Sequence, residues 1–289
     1  MVESGVMQSF KQVRIFQVPT AAVSGWRAQI AEACARAGWE YAEIQAGETL
    51  DDFNDNSVVV GWFSDTGDAR AHWIVHTASP SHVLDLLIND GFDEREAVYH
   101  AGLRLAIAST VAERGAAVAY QSDPSLKIPG LGHVEAVGEG SSACANPRAA
   151  AFALYDRLPT LPGTRVAWGV DMFTYEKDTQ GDDRRIELLG RRRLLFNGPN
   201  IALPPGVWVA KARFKIEPQD LADLFIEWGH GADAVYLRHE FVRAGKYELT
   251  LSRTWTKVEP ADFRISIMTS ALAGWLELDE VIVERAPDN

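Results

Sequence analysis

WVAKARFKI (208–216) alternates from Ala210 on: Ala210, Ala212, Phe214 and Ile216 share one parity, which Trp208 joins, and Lys211, Arg213 and Lys215 take the other. A period of two sends the two sets to opposite faces of a strand, so the stretch reads as β with one buried face. The pattern returns where Tyr247, Leu249 and Leu251 alternate with Lys246 and Glu248. It returns again where Phe263, Ile265 and Ile267 alternate with Arg264 and Ser266. Turn signals separate these runs: PPG (204–206), HGAD (230–233), RAG (243–245) and EPAD (259–262). Short strands joined by such turns predict an antiparallel β-sandwich or jelly roll over residues 183–286.

Upstream the period changes. VRIFQVP (13–19), WEYAEIQ (39–45), VVVGWF (58–63), HWIVHT (72–77) and AAVAYQS (116–122) read as strands. Between them, Trp26, Ile30, Ala33, Cys34 and Ala37 recur at helical spacing and stop at Gly38. Ser79-Pro80 reads as an N-cap followed by proline at the first helical position, opening a helix through Leu87. Asp93 and Glu96 stand at capping-box spacing before the longest helical run, which ends at Gly115. Strand–helix alternation predicts a Rossmann-like, mostly parallel α/β sheet. PRAAAFALYDRL (147–158) as helix and RVAWGVDMF (165–173) as strand are expected to complete that domain over residues 11–175. The charged stretch 175–185 is the expected boundary, and the Gly/Pro/Ser-rich stretch 123–146 reads as a long functional loop.

Composition narrows the function. The 289 residues carry 40 Asp+Glu against 28 Lys+Arg, a formal charge of −12, which argues against a general nucleic-acid binder. Two cysteines, Cys34 and Cys144, build neither a disulfide framework nor a zinc site, so a reducing, cytoplasmic setting is expected. No window reaches membrane-spanning length, and no signal-peptide core is legible at the N-terminus. There is no GxGxxG, no Walker A motif and no GxSxG elbow, so no cofactor is expected.

Three constellations stand out. HWIVHTASPSH (72–82) places His76 at a strand end and Ser79, Ser81 and His82 at a helix start. The carboxyl edge of a parallel sheet is where ligands bind, and free N–H groups there suit an anion such as the phosphate of a nucleotide sugar. His72, His76 and His82 are a poor metal set, because strand residues four apart share a face but lie far apart. In the sandwich, Trp208 falls on the inward parity, whereas Trp255 follows Arg253 after the apolar run ends and is the expected exposed sugar-stacking residue. Arg191, Arg192 and Arg193, with Arg184 and Arg185, form the basic cluster; Arg191 and Arg193 are the candidates to meet an acidic glycan.

GRRRLLFNGPNIALPPGVWVAKARF (190–214), GKYELTLSR (245–253) and GWLELDEVIVER (274–285) resemble jelly-roll modules of the carbohydrate-binding type, in the variant appended to bacterial polysaccharide-biosynthesis proteins. Asn200 stands where that variant is expected to carry an aromatic, so no stacking role passes to this position. The N-terminal half resembles one Rossmann-type glycosyltransferase lobe in strand–helix order. The resemblance implies a carbohydrate-binding or accessory protein of surface-polysaccharide biosynthesis, its partners a glycan or nucleotide sugar and a protein of polysaccharide assembly. The alternative is a glycosyltransferase-like or sugar-modifying enzyme with its site at the carboxyl edge of the α/β sheet. An exposed aromatic groove on the sandwich would favour the binder.

Overall fold

A computed structural model of the chain describes residues 12–20, 22–44, 53, 56–63, 71–135, 146–175 and 185–287. Contacts divide the chain into two compact units, Met1–Leu86 with Val111–Ala143, and Leu87–Thr110 with Cys144–Asn289.

In the first unit, β1 (Gln12–Gln17), β2 (Glu40–Ile44), β3 (Ser57–Gly61), β4 (His72–Thr77) and β5 (Ala117–Tyr120) form one sheet in the order β2-β3-β1-β4-β5. Every pair is parallel. Helix α1 (Val23–Ala37) follows β1 and ends at Gly38, whose φ of 70° lets its N–H reach back to the last turn. Helix α2 (Pro80–Asn89) follows β4. Val13, Ile15, Val58, Val60 and Ile74 pack with Trp26, Ile30 and Cys34 of α1. Strand β3 is buried along its whole length, as a covered parallel sheet requires, which is why it reads as a continuous apolar run.

The stretch 123–146 is not simply a loop. It contains the hairpin β6 (Ser125–Ile128) and β7 (Gly132–Glu135), and Leu126, Ile128 and Val134 join the core on α1. Cys144 and the rest of residues 136–145 lie outside the described residues.

The second unit is the sandwich. Its early strands are β8 (Arg165–Gly169), β9 (Thr174–Tyr175), β10 (Arg185–Glu187), β11 (Arg193–Asn197) and β12 (Ile201–Leu203). The long strands β13 (Gly206–Pro218), β14 (Ala222–Trp228), β15 (Val235–Phe241) and β16 (Gly245–Trp255) follow. Strands β17 (Glu259–Ala261), β18 (Phe263–Ile267) and β19 (Gly274–Arg285) close the chain. One sheet runs β16-β13-β19, with β10 and β8 pairing successive parts of β19's far edge. The other runs β15-β14-β18-β11-β9, and β12 pairs β17 separately. All these pairs are antiparallel. The expected inward sets hold: Trp208, Ala210, Ala212, Phe214 and Ile216 are buried, as are Phe263, Ile265 and Ile267.

Two expectations are corrected. Only Arg165–Gly169 of the 165–173 stretch is strand, and it pairs with β19; it therefore belongs to the sandwich and not to the parallel sheet. The reason is visible at Trp168, which is fully buried with its ring 5.8 Å from that of Trp228. Residues 147–155 form the expected helix, of the 3-10 type and capped by the Asn146 side chain, but in the second unit and not the first. The boundary expected between 175 and 183 therefore falls inside the sandwich unit.

Helix α3 (Glu94–Glu113) belongs to this unit as far as Thr110. Its capping box is complete: Asp93 Oδ1 accepts from the Glu96 N–H at 2.9 Å, and Glu96 Oε2 accepts from the Asp93 N–H at 3.3 Å. Gly102 lets the helix press on β12, since a Cβ there would sit 2.8 Å from the Ala202 nitrogen. Ser109 Oγ donates to Thr160 Oγ1 at 3.0 Å and accepts from the Thr160 N–H at 2.9 Å, fixing the far end.

Candidate functional site

In the β15-β14-β18-β11-β9 sheet, Leu224, Ile226 and Trp228 point into the core, so Asp223, Phe225 and Glu227 take the opposite face. Register then lays out that outer face strand by strand. Tyr236 stands opposite Glu227, Glu227 opposite Arg264, Arg264 opposite Asn197 and Asn197 opposite Thr174. One step along lies a second row in which Arg238, Phe225, Ser266 and Leu194 are successive partners.

Two features make this face unlike an ordinary wet sheet surface. Tyr236 is 66% exposed, and its ring lies 5.0 Å from that of Phe225 at 33°. The pair is a diagonal cross-strand contact that leaves an aromatic platform in solvent. The polar groups beside it are held in place. Arg264 Nε donates to Asn197 Oδ1 at 3.0 Å, and its terminal nitrogen donates to Asp262 Oδ2 at 2.7 Å. Arg238 grips Asp223 through Nε and a terminal nitrogen, at 3.0 and 2.6 Å to the two oxygens. Asp223 is 1% exposed, and the hydrogen bonds from Arg238 hold its carboxyl below the usual carboxylate range. A rigid, charge-assisted frame therefore surrounds two rings that can stack.

The stacking residue expected from the sequence is elsewhere. Trp255 is 1% exposed, 5.2 Å from Trp228, with the Arg253 guanidinium 4.6 Å over its ring. Its parity is that of Tyr247, Leu249 and Leu251; the buried Arg253, bonded to Glu259 at 3.3 Å, continues the inward set and does not end it. Arg191 and Arg192 are exposed, whereas Arg193 donates to the carbonyls of Leu189 and Glu187 and so pins its own turn. Arg185 lies 4.2 Å over the Trp275 ring; Arg184 is outside the described residues.

At the α/β sheet the chain runs from β1 to β3 and β2 on one side and to β4 and β5 on the other, so the carboxyl ends of β1 and β4 flank the switch point. His76 is there, as expected, but 1% exposed: Nδ1 lies 3.4 Å from Gln17 Nε2, and the ring meets Trp26 at 5.0 Å. Burial lowers its pKa to about 4, so the imidazole is neutral. Arg27 Nε donates to Gln17 Oε1 at 2.8 Å and to Glu43 through another nitrogen at 2.7 Å. Ser79 caps α2, with Oγ 3.5 Å from the His82 nitrogen, 2.7 Å from His82 Nδ1 and 3.0 Å from Ser81 Oγ. Ser79, Ser81 and His82 thus converge, while His76 is sealed beneath the surface. Among the described residues no three His, Cys, Asp or Glu side chains meet as a metal site requires. No described helix is long and apolar enough to cross a membrane.

Phe225, Glu227 and Tyr236 do not stand out in the sequence. The signal for Phe225 and Glu227 is nonetheless present in LFIEW (224–228), where the two residues between the buried ones are the outward ones.

No family model and no curated protein matches the chain. Solved carbohydrate-binding modules do. The CBM22-1 xylan-binding domain of Paenibacillus barcinonensis Xyn10C is 15% identical, the match covering 44% of this chain and 98% of that one at a TM-score of 0.30. The CBM36-1 domain of a multidomain xylanase from the hindgut metagenome of Trinervitermes trinervoides is 10% identical, with 43% and 100% covered and a TM-score of 0.32. A CBM61 module solved with β-1,4-galactotriose is 12% identical, with 35% and 68% covered and a TM-score of 0.28. At such scores the architecture stands on the strand pairing described above.

Proposed function

We propose that the sandwich is a glycan-binding module and that sugar lies across the outer face of the β15-β14-β18-β11-β9 sheet. The observation that carries this is the solvent-facing Tyr236–Phe225 pair set beside Glu227, Arg264 and Asn197. A sugar ring offers one apolar face and a rim of hydroxyls. An aromatic platform takes the first, and the neighbouring carboxylate, with the guanidinium and amide held to one another, takes the second. The resemblance of residues 190–285 to modules of polysaccharide-biosynthesis proteins extends the proposal to an accessory role in assembling such polymers. The binder is preferred to a sugar-modifying enzyme because His76, at the α/β switch point, is buried, and the Ser79 hydroxyl is engaged in capping α2.

An oligosaccharide array on the intact chain tests this, followed by titration of Tyr236→Ala. The variant should weaken binding roughly three- to tenfold, the worth of one aromatic contact. Its melting temperature should stay unchanged, because the ring is largely in solvent. Wild-type protein that binds no glycan, or binds equally well without Tyr236, refutes the reading.

A further inference from the structure

The polar row of the sheet ends in a cavity. Past Asn197 and Thr174 lies a space of about 160 Å³ lined by Arg95, Arg148, Thr174, Asn197 and Asn200, with the main chain at Gly198–Pro199. Its walls come from four places in the second unit: the start of α3, the start of the 147–155 helix, residues 172–174 leading into β9, and the end of β11 with the loop to β12. A cavity of this volume is of the size that takes one six-membered ring.

Local structure fixes the walls. A Cβ at Gly198 would lie 2.5 Å from the Phe263 nitrogen, so the loop can lie flat on β18 only with glycine there. Asn200 follows in the left-handed region at φ 59°, which asparagine tolerates better than most residues. Its Oδ1 is buried with no hydrogen-bond partner among the described residues. The two guanidinium groups are the cavity's only charged lining among the described residues. Arg95 is steadied by donating to Thr174 Oγ1, and Arg148 by Glu94, whose Oε1 lies 2.8 Å from its Nε. Both still have further N–H groups to offer, since a guanidinium carries five.

Donors in excess, from two guanidinium groups of which Glu94 pairs one, describe a particular ligand: an acidic group on a sugar ring. We propose that this cavity holds the anionic substituent, carboxylate or sulfate ester, of a glycan lying on the sheet, and so makes the module selective for acidic polysaccharide. The inference rests on the sheet-face reading above. It moves acid recognition from Arg191 and Arg193, where the sequence places it, to Arg95 and Arg148. Geometry supports the connection, because Tyr236 and Thr174 end the same row across five strands, about 19 Å at the usual strand spacing. An extended oligosaccharide anchored on Tyr236 therefore reaches the cavity.

The test titrates the intact chain with an oligogalacturonate, its neutral methyl ester and a sulfated oligosaccharide. Wild type should bind an acidic form roughly tenfold or more tightly than the ester, with the preference shrinking as salt rises. The carboxylate and sulfate arms show which acid is taken. Arg95→Gln with Arg148→Gln should abolish the preference by lowering the acid's affinity to that of the ester, while Tyr236→Ala should weaken acid and ester alike. A melting curve matching wild type shows that the double variant is folded; if it is not, Asn200→Ala and each single arginine variant are read in its place. Equal wild-type affinity for acid and ester, with Tyr236 still required, overturns the cavity's role and leaves the sheet-face reading intact. Binding of no glycan at all overturns both.

Discussion

The fate of Trp255 shows how one residue's parity decides its role. Its ring is buried between Trp228 and the Arg253 guanidinium, so it stabilises the core and has no face left for a sugar. Trp255→Ala should cost about 3–5 kcal/mol by cavity formation, measured as a shift in the denaturant midpoint, where an exposed residue would change it little. A buried histidine gives a second residue-scale expectation. The folded pKa of His76 is about 4 against the usual 6.5, because burial disfavours the imidazolium and the nearby Asp123 only partly offsets it. Between those values the unfolded chain binds a proton that the folded chain refuses. Stability therefore falls as pH drops from about 6.5 to about 4 and levels off below, by something on the order of 3 kcal/mol. His76→Gln, which keeps a polar partner for Gln17, should flatten that slope in urea titrations at a series of pH values. An unchanged slope would mean that other groups carry it.

Among elements, helix α3 sets helix propensity against packing. Alanine is better than glycine in a helix interior by about 1 kcal/mol, which favours Gly102→Ala. Yet the new Cβ would meet the Ala202 nitrogen at 2.8 Å and the Ile201 Cα at 3.3 Å, both strand backbone. Overpacking costs about 1–3 kcal/mol, so the substitution should destabilise on balance. Thermal melts decide the sign. The same contrast explains what is legible in the sequence. Caps, alternating parity and apolar runs are local, so β1 to β5, the Asp93–Glu96 box and the inward faces of β13, β16 and β18 can be read from the order of residues alone. What a strand pairs with is not local. RVAWG (165–169) looks the same whether it enters a parallel sheet or lies along β19, and nothing near Tyr236 in the sequence says that Phe225 is its neighbour. The binding face is therefore half visible: the outward Arg264 follows from the alternation of FRISI, but the aromatic pair needs the register of two strands.

At the scale of the whole molecule, the change of period at 175–185 is a change of pattern and not a seam. The sandwich unit draws on chain from both sides of it, and Trp168, fully buried against Trp228, arrives from the earlier side. A fragment of residues 183–289 would lose β8 and β9, leaving the outer edge of β19 unpaired over Arg165–Gly169's share and a void where the Trp168 indole sat. Losing a buried tryptophan alone costs about 3–5 kcal/mol, a large part of the 5–15 kcal/mol that holds a typical domain folded. The exposed strand edge adds a site for association. Residues 183–289 should therefore give a broad, low-midpoint urea transition or aggregate. Residues 144–289, which restore both strands and the 147–155 helix, should unfold more cooperatively and at higher urea, and the intact chain, which also supplies α3, higher still. Tryptophan fluorescence follows all three, because each contains the Trp228–Trp255 pair of the same core. Equal midpoints for the two fragments would show that β8 lies on the sandwich without supporting it, and that the boundary read from the sequence is the one the folding respects.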